Sequence, residues 1–229
     1  MITTIFLDLD DTLFSFQQAE QVALEETMRH YALPYSDEIL ALYSAGNDAQ
    51  WKLLEQGKVQ RSEIGYRRFD LLLTHLGSDL DREEVNHYYM ERLSNRHFFL
   101  PGAEELLCAL HGRYTLCLAS NGTGWVQEGR LKNSGILPLL DRVFISEYLG
   151  ANKPQLGFFD ACFASLPGVK RSESLMLGDS LTSDIRGGSN AGLRTVWFNP
   201  LGKEPRTDIR PSYTIHALSE LLPLLASMQ

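Results

Sequence analysis

The chain has 229 residues, of which 44% are hydrophobic and 22% charged, a composition typical of a soluble globular protein with a substantial core. This length fits one domain, or one domain with a smaller inserted one. The net charge of −8 argues against a nucleic-acid polymer as partner, because proteins that bind such polymers present a basic surface. A small anionic substrate needs only a local positive site and is not excluded.

No apolar run approaches the length of about 20 residues that a helix needs to cross a bilayer. The N-terminus opens directly into a strand, without a basic leader. Cys108, Cys117 and Cys162 are widely spaced in apolar surroundings, so we expect reduced thiols in the core rather than disulfides. The sequence predicts a cytoplasmic protein without a membrane partner, and it leaves open whether the protein is a monomer or a homodimer.

The first predicted strand covers residues 3–7, which are mostly β-branched or aromatic. Asp8, Asp10 and Asp11 follow it, and alternation along a strand would put Asp8 and Asp10 on the same side. Two like charges about 4 Å apart repel by roughly 4 kcal/mol in a protein interior. Such a pair therefore needs a cation, or one carboxyl must be protonated. The alternative is an Asp-rich turn with solvated side chains.

Residues 17–96 are rich in helix-forming residues and contain no convincing strand. Stop signals at Pro34, Gly46, Gly57 and Gly77 divide this segment into helices. We predict a helical bundle that forms an inserted cap domain over residues 17–96, and we expect it to cover the site as a lid. Residues 1–16 and 97–229 form the other predicted domain.

From Pro101 onward, predicted helices and strands alternate. The strands are predicted at 114–119, 142–145, 175–177, 194–198 and 213–215, and the helices at 103–110, 125–133, 156–165, 182–191 and 217–225. This alternation predicts an α/β fold, a Rossmann-like parallel sheet covered by helices on both faces in three layers. Right-handed crossovers bring the carboxyl ends of the strands to one edge, where open α/β sheets bind ligands.

Polar clusters lie at or just beyond the carboxyl ends of these strands, and their convergence argues against a solvated turn at Asp8. The clusters are Asp8 with Asp10, Ser120 with Asn121, Lys153, and Asp179 with Asp184. In order and spacing they resemble the motifs of the haloacid dehalogenase-like hydrolase superfamily. The resemblance covers the whole chain, including the helical cap between the first and second motifs.

The residue types agree with the phosphatase chemistry that this resemblance implies. Asp8 is the candidate nucleophile, which attacks phosphorus to give an aspartyl-phosphate. Because nucleophile and substrate are both anionic, a divalent cation is needed, and oxygen-only ligands suit Mg²⁺. Asp8 and Asp179 would bind the metal by their side chains. By resemblance, the backbone carbonyl of Asp10 is a further ligand. Asp184 would act through a water molecule or orient the other ligands.

The remaining polar groups have predicted roles in catalysis and in phosphate binding. Asp10 would protonate the leaving alcohol and then activate the hydrolytic water. Ser120 and Asn121 would donate hydrogen bonds to phosphate oxygens. Lys153 would place a fixed positive charge near the transferring phosphoryl group and offset the acidic cluster.

The choice of substrate depends on weaker signals. Asp10 argues against a dehalogenase, because a halide leaves without an acid. Residues 10–14 and 145–154, together with Asn47, Trp51, Gly57, Arg68 and Phe69, are similar to the pyrimidine 5′-nucleotidase branch of the superfamily. We therefore predict a phosphatase for small phosphorylated metabolites, specifically a nucleoside 5′-monophosphate. Phe14 or Trp51 could stack on the base, or both could be core residues.

The alternatives are a sugar-phosphate or phosphoglycolate phosphatase, a phosphomutase, and a non-catalytic binding protein on the same fold. A non-catalytic protein would usually have lost one of the four residues that matter most for the chemistry. Those residues are Asp8, Asp10, Lys153 and Asp179, and all of them are present.

Overall fold

The computed structural model describes residues 1–228. The chain divides into two compact units. The first, the α/β unit, consists of Met1–Phe16 and His97–Gln229, and the second, the helical unit, is Gln17–Arg96. Within residues 1–228, no helix combines the length and the apolar character needed to cross a membrane.

The α/β unit is built on a six-stranded sheet in the order β3-β2-β1-β4-β5-β6, in which every neighbouring pair is parallel. Its strands are β1 (Thr4–Leu7), β2 (Thr115–Ser120), β3 (Arg142–Ile145), β4 (Ser174–Gly178), β5 (Arg194–Phe198) and β6 (Tyr213–Ile215). The predicted α/β fold class is confirmed. After β3 the chain returns to the other side of β1, so the strand order reverses between β1 and β4, and ligands bind at such a reversal in open sheets.

Helices connect the strands of the α/β unit and make up most of the helical unit. They are α1 (Phe16–His30), α2 (Asp37–Glu55), α3 (Arg61–His75), α4 (Arg82–Ser94), α5 (Ala103–Leu110), α6 (Gly124–Ser134), α7 (Ser146–Leu149), α8 (Leu156–Ala164), α9 (Arg186–Asn190) and α10 (Leu221–Ser227). A single π-helical turn, Leu181–Ile185, precedes α9.

Alternate residues of the central strands pack on opposite faces of the sheet. Ile5 and Leu7 belong to the apolar cluster that includes α5 and α10. Phe6 belongs to the opposite cluster, which includes Phe158 and Phe159 of α8. Because both faces are covered, the central strands carry apolar residues at consecutive positions, as expected for a parallel sheet.

The first turn after β1 is fixed by backbone hydrogen bonds to one carbonyl. The Leu9 carbonyl accepts from the N–H groups of Leu13 and Phe14, both at 2.9 Å. Asp11 has a positive φ of 58°, which aspartate tolerates better than most residues, and its Oδ1 accepts from the Phe16 N–H at 2.9 Å. Phe14 is fully buried in the core, so it cannot stack on a substrate base in this conformation.

The helical unit has an aromatic core and a buried polar network. Tyr43, Phe69 and Tyr89 pack with ring centroids 5.1–5.5 Å apart. The network links five polar side chains. They are Glu20, Ser44, Asn47, Arg68 and Asn86. It satisfies the buried Arg68 guanidinium, which would otherwise carry a large desolvation penalty.

Two local predictions are wrong. Gly46 was expected to end a helix but lies inside α2, since a glycine in a helix costs only about 1 kcal/mol and the buried side chains of α2 continue past it. Cys108 is exposed, whereas Cys117 and Cys162 are buried. Cys108 lies on the outer face of α5, and its neighbours Leu107 and Leu110 supply the buried face.

Candidate active site

The predicted site residues lie where the central strands end. Asp8 follows β1 directly, and its N–H donates to the Leu177 carbonyl of β4 at 2.9 Å. Ser120 is the last residue of β2, and Asp179 follows β4. Lys153 lies in the loop between α7 and α8. The parallel sheet brings these four positions to the same edge.

Asp8, Asp179 and Asp184 form an acidic cluster in which each residue offers a carboxylate oxygen within 4.8 Å of the others. Asp8 and Asp184 are buried, and Asp179 is half-buried. The Ser180 N–H donates to Asp184 Oδ2 at 3.0 Å. The Asp179 N–H donates to Thr12 Oγ1 at 3.1 Å, so the loop after β1 is tied to the loop after β4.

Lys153 supplies the positive charge at this cluster. Its side chain is 1% exposed, and Nζ donates to Asp8 Oδ1 and to Asp184 Oδ1, both at 2.7 Å. The third acceptor is the Ala119 carbonyl at 2.5 Å. An ammonium group has three protons to donate, so these contacts use its full capacity and hold it between the two carboxylates.

The cluster carries more negative charge than Lys153 balances. The pKa of Asp8 is raised to about 7, mainly by burial and then by the charge of Asp184, and the Lys153 ammonium offsets only part of the total rise. Burial, followed by the carboxylates of Asp184 and Asp8, raises the pKa of Asp179 well above 3.8. Burial alone would lower the pKa of Lys153, but Asp184 and Asp8 outweigh it and the pKa is raised.

The donor set of the acidic cluster fits a hard divalent cation. All its side-chain donors are carboxylate oxygens, which Mg²⁺ and Ca²⁺ prefer and which zinc sites built from cysteine and histidine lack. A bound cation would also relieve the repulsion that raises the pKa values of Asp8 and Asp179. The residues present are therefore suited to hold such an ion.

Asp10 has partners separate from those of Asp8. β1 ends at Leu7, and Asp10 lies in the turn that follows it, where its charge still contributes to the raised pKa of Asp8. Asp10 Oδ1 forms an ion pair with the Arg130 guanidinium. Gln127 Nε2 donates to Asp10 Oδ2 at 2.7 Å. The Asp10 carboxylate is thus held by α6 rather than by the acidic cluster.

Ser120 and Asn121 both contact neighbouring parts of the site. Ser120 Oγ accepts from the Gly122 N–H at 3.0 Å and from Gln127 Nε2 at 2.9 Å. Asn121 makes a reciprocal pair with the Lys153 backbone: Nδ2 donates to the carbonyl and Oδ1 accepts from the N–H, each at 2.9 Å. The Asn121 side chain therefore fixes the loop that carries Lys153.

Sequence reasoning missed Gln127 and Arg130, which contact Asp10 directly. The signal was present in α6, whose buried residues include Val126, Gln127, Arg130 and Leu131. This spacing is that of the inward face of a helix. A glutamine and an arginine on such a face require buried polar partners, and Asp10 and Ser120 are those partners.

Comparison with known proteins agrees with this geometry. Residues 2–192 match the family model described as haloacid dehalogenase-like hydrolase. The chain is 37% identical over 222 residues to the pyrimidine 5′-nucleotidase PynA of Streptococcus pneumoniae, covering 96% of this chain and 94% of PynA. It is 32% identical over 221 residues to the pyrimidine 5′-nucleotidase YjjG of Escherichia coli, covering 96% of both chains.

A solved structure provides a third comparison. The magnesium-bound HAD-hydrolase YfnB of Bacillus subtilis superimposes with a TM-score of 0.93 at 35% identity, covering 98% of each chain. The YfnB structure is described as revealing interdomain movement.

Proposed function

Because this chain belongs to the haloacid dehalogenase-like hydrolase family, we propose that it is a Mg²⁺-dependent phosphatase of pyrimidine nucleoside 5′-monophosphates. Its reaction class is the hydrolysis of phosphoric monoesters. One observation carries the proposal: Asp8 lies in a carboxylate cluster suited to a cation, and the Asp10 carboxylate has its own donors from α6. Nucleophilic attack and proton transfer need carboxylates in two such different environments.

The chemistry divides between these two aspartates. Asp8 attacks phosphorus, so that a new bond from its carboxylate oxygen forms while the bond to the ester oxygen breaks. Asp10 gives its proton to that departing oxygen. In the second half, Asp10 takes a proton from a water molecule, which attacks the phosphorus of the aspartyl-phosphate. This step returns Asp8 as a carboxylate and releases inorganic phosphate.

The other residues support the charge and the orientation of the phosphoryl group. Asp8 and Asp179 would hold Mg²⁺ by their side chains, and Asp10 would hold it by its backbone carbonyl. Asp184 would bind the ion through a water molecule or orient the other ligands. The bound ion would supply the positive charge that lets two anions approach. Lys153 already neutralises part of the cluster through Asp8 and Asp184. Ser120 and Asn121 are the proposed donors to phosphate oxygens.

The substrate class rests on the two relatives named pyrimidine 5′-nucleotidases, which align over almost the whole chain. Asp10 supports an ester substrate over a halide, because an alcohol leaving group needs a proton. We further propose that the enzyme acts on its small phosphorylated substrate in the cytoplasm, where its three free cysteines stay reduced.

The test is phosphate release with Mg²⁺ from a panel of phosphorylated metabolites. The panel contains uridine, thymidine and cytidine monophosphates, purine monophosphates, sugar phosphates and phosphoglycolate. We expect the highest kcat/KM for a pyrimidine nucleotide, no turnover in EDTA, and none in Asp8→Asn. Efficient turnover of sugar phosphates or phosphoglycolate without nucleotide turnover would contradict the substrate class. Isomerisation without net phosphate release would indicate a phosphomutase, and no turnover across divalent metals would indicate a binding protein.

A further inference from the structure

Helix α6 carries two buried polar side chains one turn apart, Gln127 and Arg130, with 2% and 1% of their surfaces exposed. Removing a guanidinium from water costs several kcal/mol unless it gains well-placed partners. Arg130 is among the largest fully buried side chains of the described residues. Leucine or methionine could pack between the helix and the sheet without this desolvation cost. Gln127 and Arg130 at these positions are therefore explained by their polar contacts.

The contacts of these residues form a connected network around Asp10. Arg130 Nη1 pairs with Asp10 Oδ1 and donates to Gln127 Oε1 at 2.9 Å. Gln127 Nε2 donates to Asp10 Oδ2 at 2.7 Å. Each oxygen of Asp10 therefore has its own donor from α6, which fixes the rotation of the carboxylate. A flipped Gln127 amide would place Oε1 against the Asp10 carboxylate and Nε2 against the Arg130 guanidinium. It would lose the hydrogen bonds to both groups, so the orientation with Nε2 facing Asp10 is selected.

The same amide determines what the Ser120 hydroxyl can do. Its oxygen accepts from the Gly122 N–H at 3.0 Å and from Gln127 Nε2 at 2.9 Å. A hydroxyl has two acceptor lone pairs and one proton. With both lone pairs occupied, the hydroxyl can only donate to a further group, which is the property that an anionic phosphate oxygen requires.

The surroundings leave room for this arrangement. A Cβ atom added at Gly122 would lie 2.6 Å from Gln127 Cδ, so glycine there provides the space that the Gln127 amide occupies. On the other side, the Arg130 guanidinium carbon lies 5.5 Å from the ring centroid of Phe14, and Phe14 is fully buried. The network is thus confined by the fold.

We propose that Gln127 and Arg130 are positioning residues for the phosphatase reaction: they orient Asp10 for proton transfer, and Gln127 also orients Ser120 as a hydrogen-bond donor. This inference rests on the proposed function, since it assigns no new reaction. Neither residue is required to touch the substrate. Their effect passes through Asp10 and Ser120, whose orientation must be held to within a fraction of an ångström for efficient transfer.

The leaving group separates positioning of Asp10 from a general structural role. Departure of a nucleoside alkoxide needs a proton from Asp10, whereas p-nitrophenolate leaves without one. The ratio of kcat/KM for uridine 5′-monophosphate to kcat/KM for p-nitrophenyl phosphate therefore reports on acid catalysis. Losses through the nucleophile, the metal or Ser120 affect both substrates and cancel in this ratio. Because kcat/KM covers steps up to departure of the leaving group, the later attack of water does not contribute.

The experiment measures this ratio in Gln127→Leu and Arg130→Met, with Lys132→Met as the matched control. Lys132 is an exposed residue of the same helix, so its variant also removes one positive charge. We expect the ratio to fall about 10²-fold in the first two variants, within the range of general acid catalysis, and to stay unchanged in the control. Gly122→Ala, which displaces the Gln127 amide without removing it, should lower the ratio in the same direction.

A double-mutant cycle with Asp10→Asn completes the test. If Gln127 and Arg130 act through Asp10, neither substitution lowers the ratio further in that background. An unchanged ratio in the single variants, or a full additional fall in the double variants, would overturn the proposal. If Arg130→Met does not fold, Gln127→Leu decides alone. A wild-type enzyme that hydrolyses neither substrate would instead contradict the proposed function.

Discussion

The acidic cluster predicts that a substitution harmful to activity stabilises the metal-free protein. Asp179 shares the cluster with Asp8 and Asp184, within 4.8 Å. Burial, together with these two carboxylates, raises the pKa of Asp179 well above its ordinary value. We expect Asp179→Asn to raise the free energy of unfolding in EDTA, because the neutral amide removes one of the repelling charges.

The magnitude follows from the distance and from protonation. Two unit charges no more than 4.8 Å apart repel by at least about 3 kcal/mol at an effective dielectric constant near 20. The free-energy cost of keeping Asp179 ionised has an upper limit, because the carboxyl can take up a proton instead. For a group with an ordinary pKa of 3.8, protonation at pH 7 costs about 4 kcal/mol, so the repulsion cannot destabilise the protein by more than this. We therefore expect a gain of about 3 kcal/mol at neutral pH.

The pH dependence has a definite sign. A carboxyl whose pKa is raised in the folded state favours folding at low pH, and this contribution is lost as the pH rises through the folded pKa. For Asp8 that window runs from the ordinary value of 3.8 to about 7. The metal-free wild type should therefore lose stability across this window, and the advantage of Asp179→Asn should grow with pH.

Urea unfolding in EDTA between pH 5 and pH 8 measures this advantage. Glu204→Gln is the control, since it removes one negative charge from an exposed position of the same unit and should leave the midpoint unchanged. Added Mg²⁺ should stabilise the wild type and have little effect on Asp179→Asn. A variant less stable than wild type in EDTA, or equally stabilised by Mg²⁺, would refute the electrostatic reasoning.

Three further predictions concern single residues. Asp8→Asn should abolish phosphate release while circular dichroism shows an intact fold; retained turnover would remove Asp8 from the role of nucleophile. Gly178→Ala should weaken Mg²⁺ binding in calorimetry, because the new Cβ would lie 2.6 Å from the Asp184 Cβ; unchanged affinity would contradict this. Glu20→Gln should raise the melting temperature at pH 8 more than at pH 5. Burial raises the pKa of Glu20, so its ionised carboxylate destabilises the fold increasingly as the pH rises. An equal rise in melting temperature at both pH values would contradict this reasoning.

The fold class and the family could be predicted from the sequence, and both predictions are confirmed. The reason is physical: β1 and β4 are buried on both faces, so each contains three consecutive apolar residues and differs from the alternating pattern of the helices. Charged residues directly after such a strand indicate where the strand ends. They also indicate the edge of the sheet at which a ligand would bind.

Local geometry at the site was harder to predict. Helical propensity indicated a regular helix at 182–191, but the chain forms a π-helical turn, Leu181–Ile185, followed by α9. In this turn the Ser180 carbonyl accepts from the N–H groups of Asp184 and Ile185, at 3.0 and 3.1 Å. The Asp184 carboxylate in turn accepts from the Ser180 N–H and from Lys153. The contacts of the Asp184 side chain with Ser180 and Lys153 depend on the folded structure. Helix propensities of single residues cannot predict such contacts.

The different partners of Asp8 and Asp10 show the same limit most clearly. Strand alternation predicts that both carboxylates lie on one side of the chain, but it does not indicate which cation each of them contacts. The chain turns after Leu7, with the Leu9 carbonyl accepting from three following N–H groups, and the two side chains contact different cations. Asp8 pairs with Lys153 from the loop after α7, and Asp10 pairs with Arg130 from α6. These partners come from elements more than 100 residues away in the chain, so neither residue propensity nor strand alternation could indicate them.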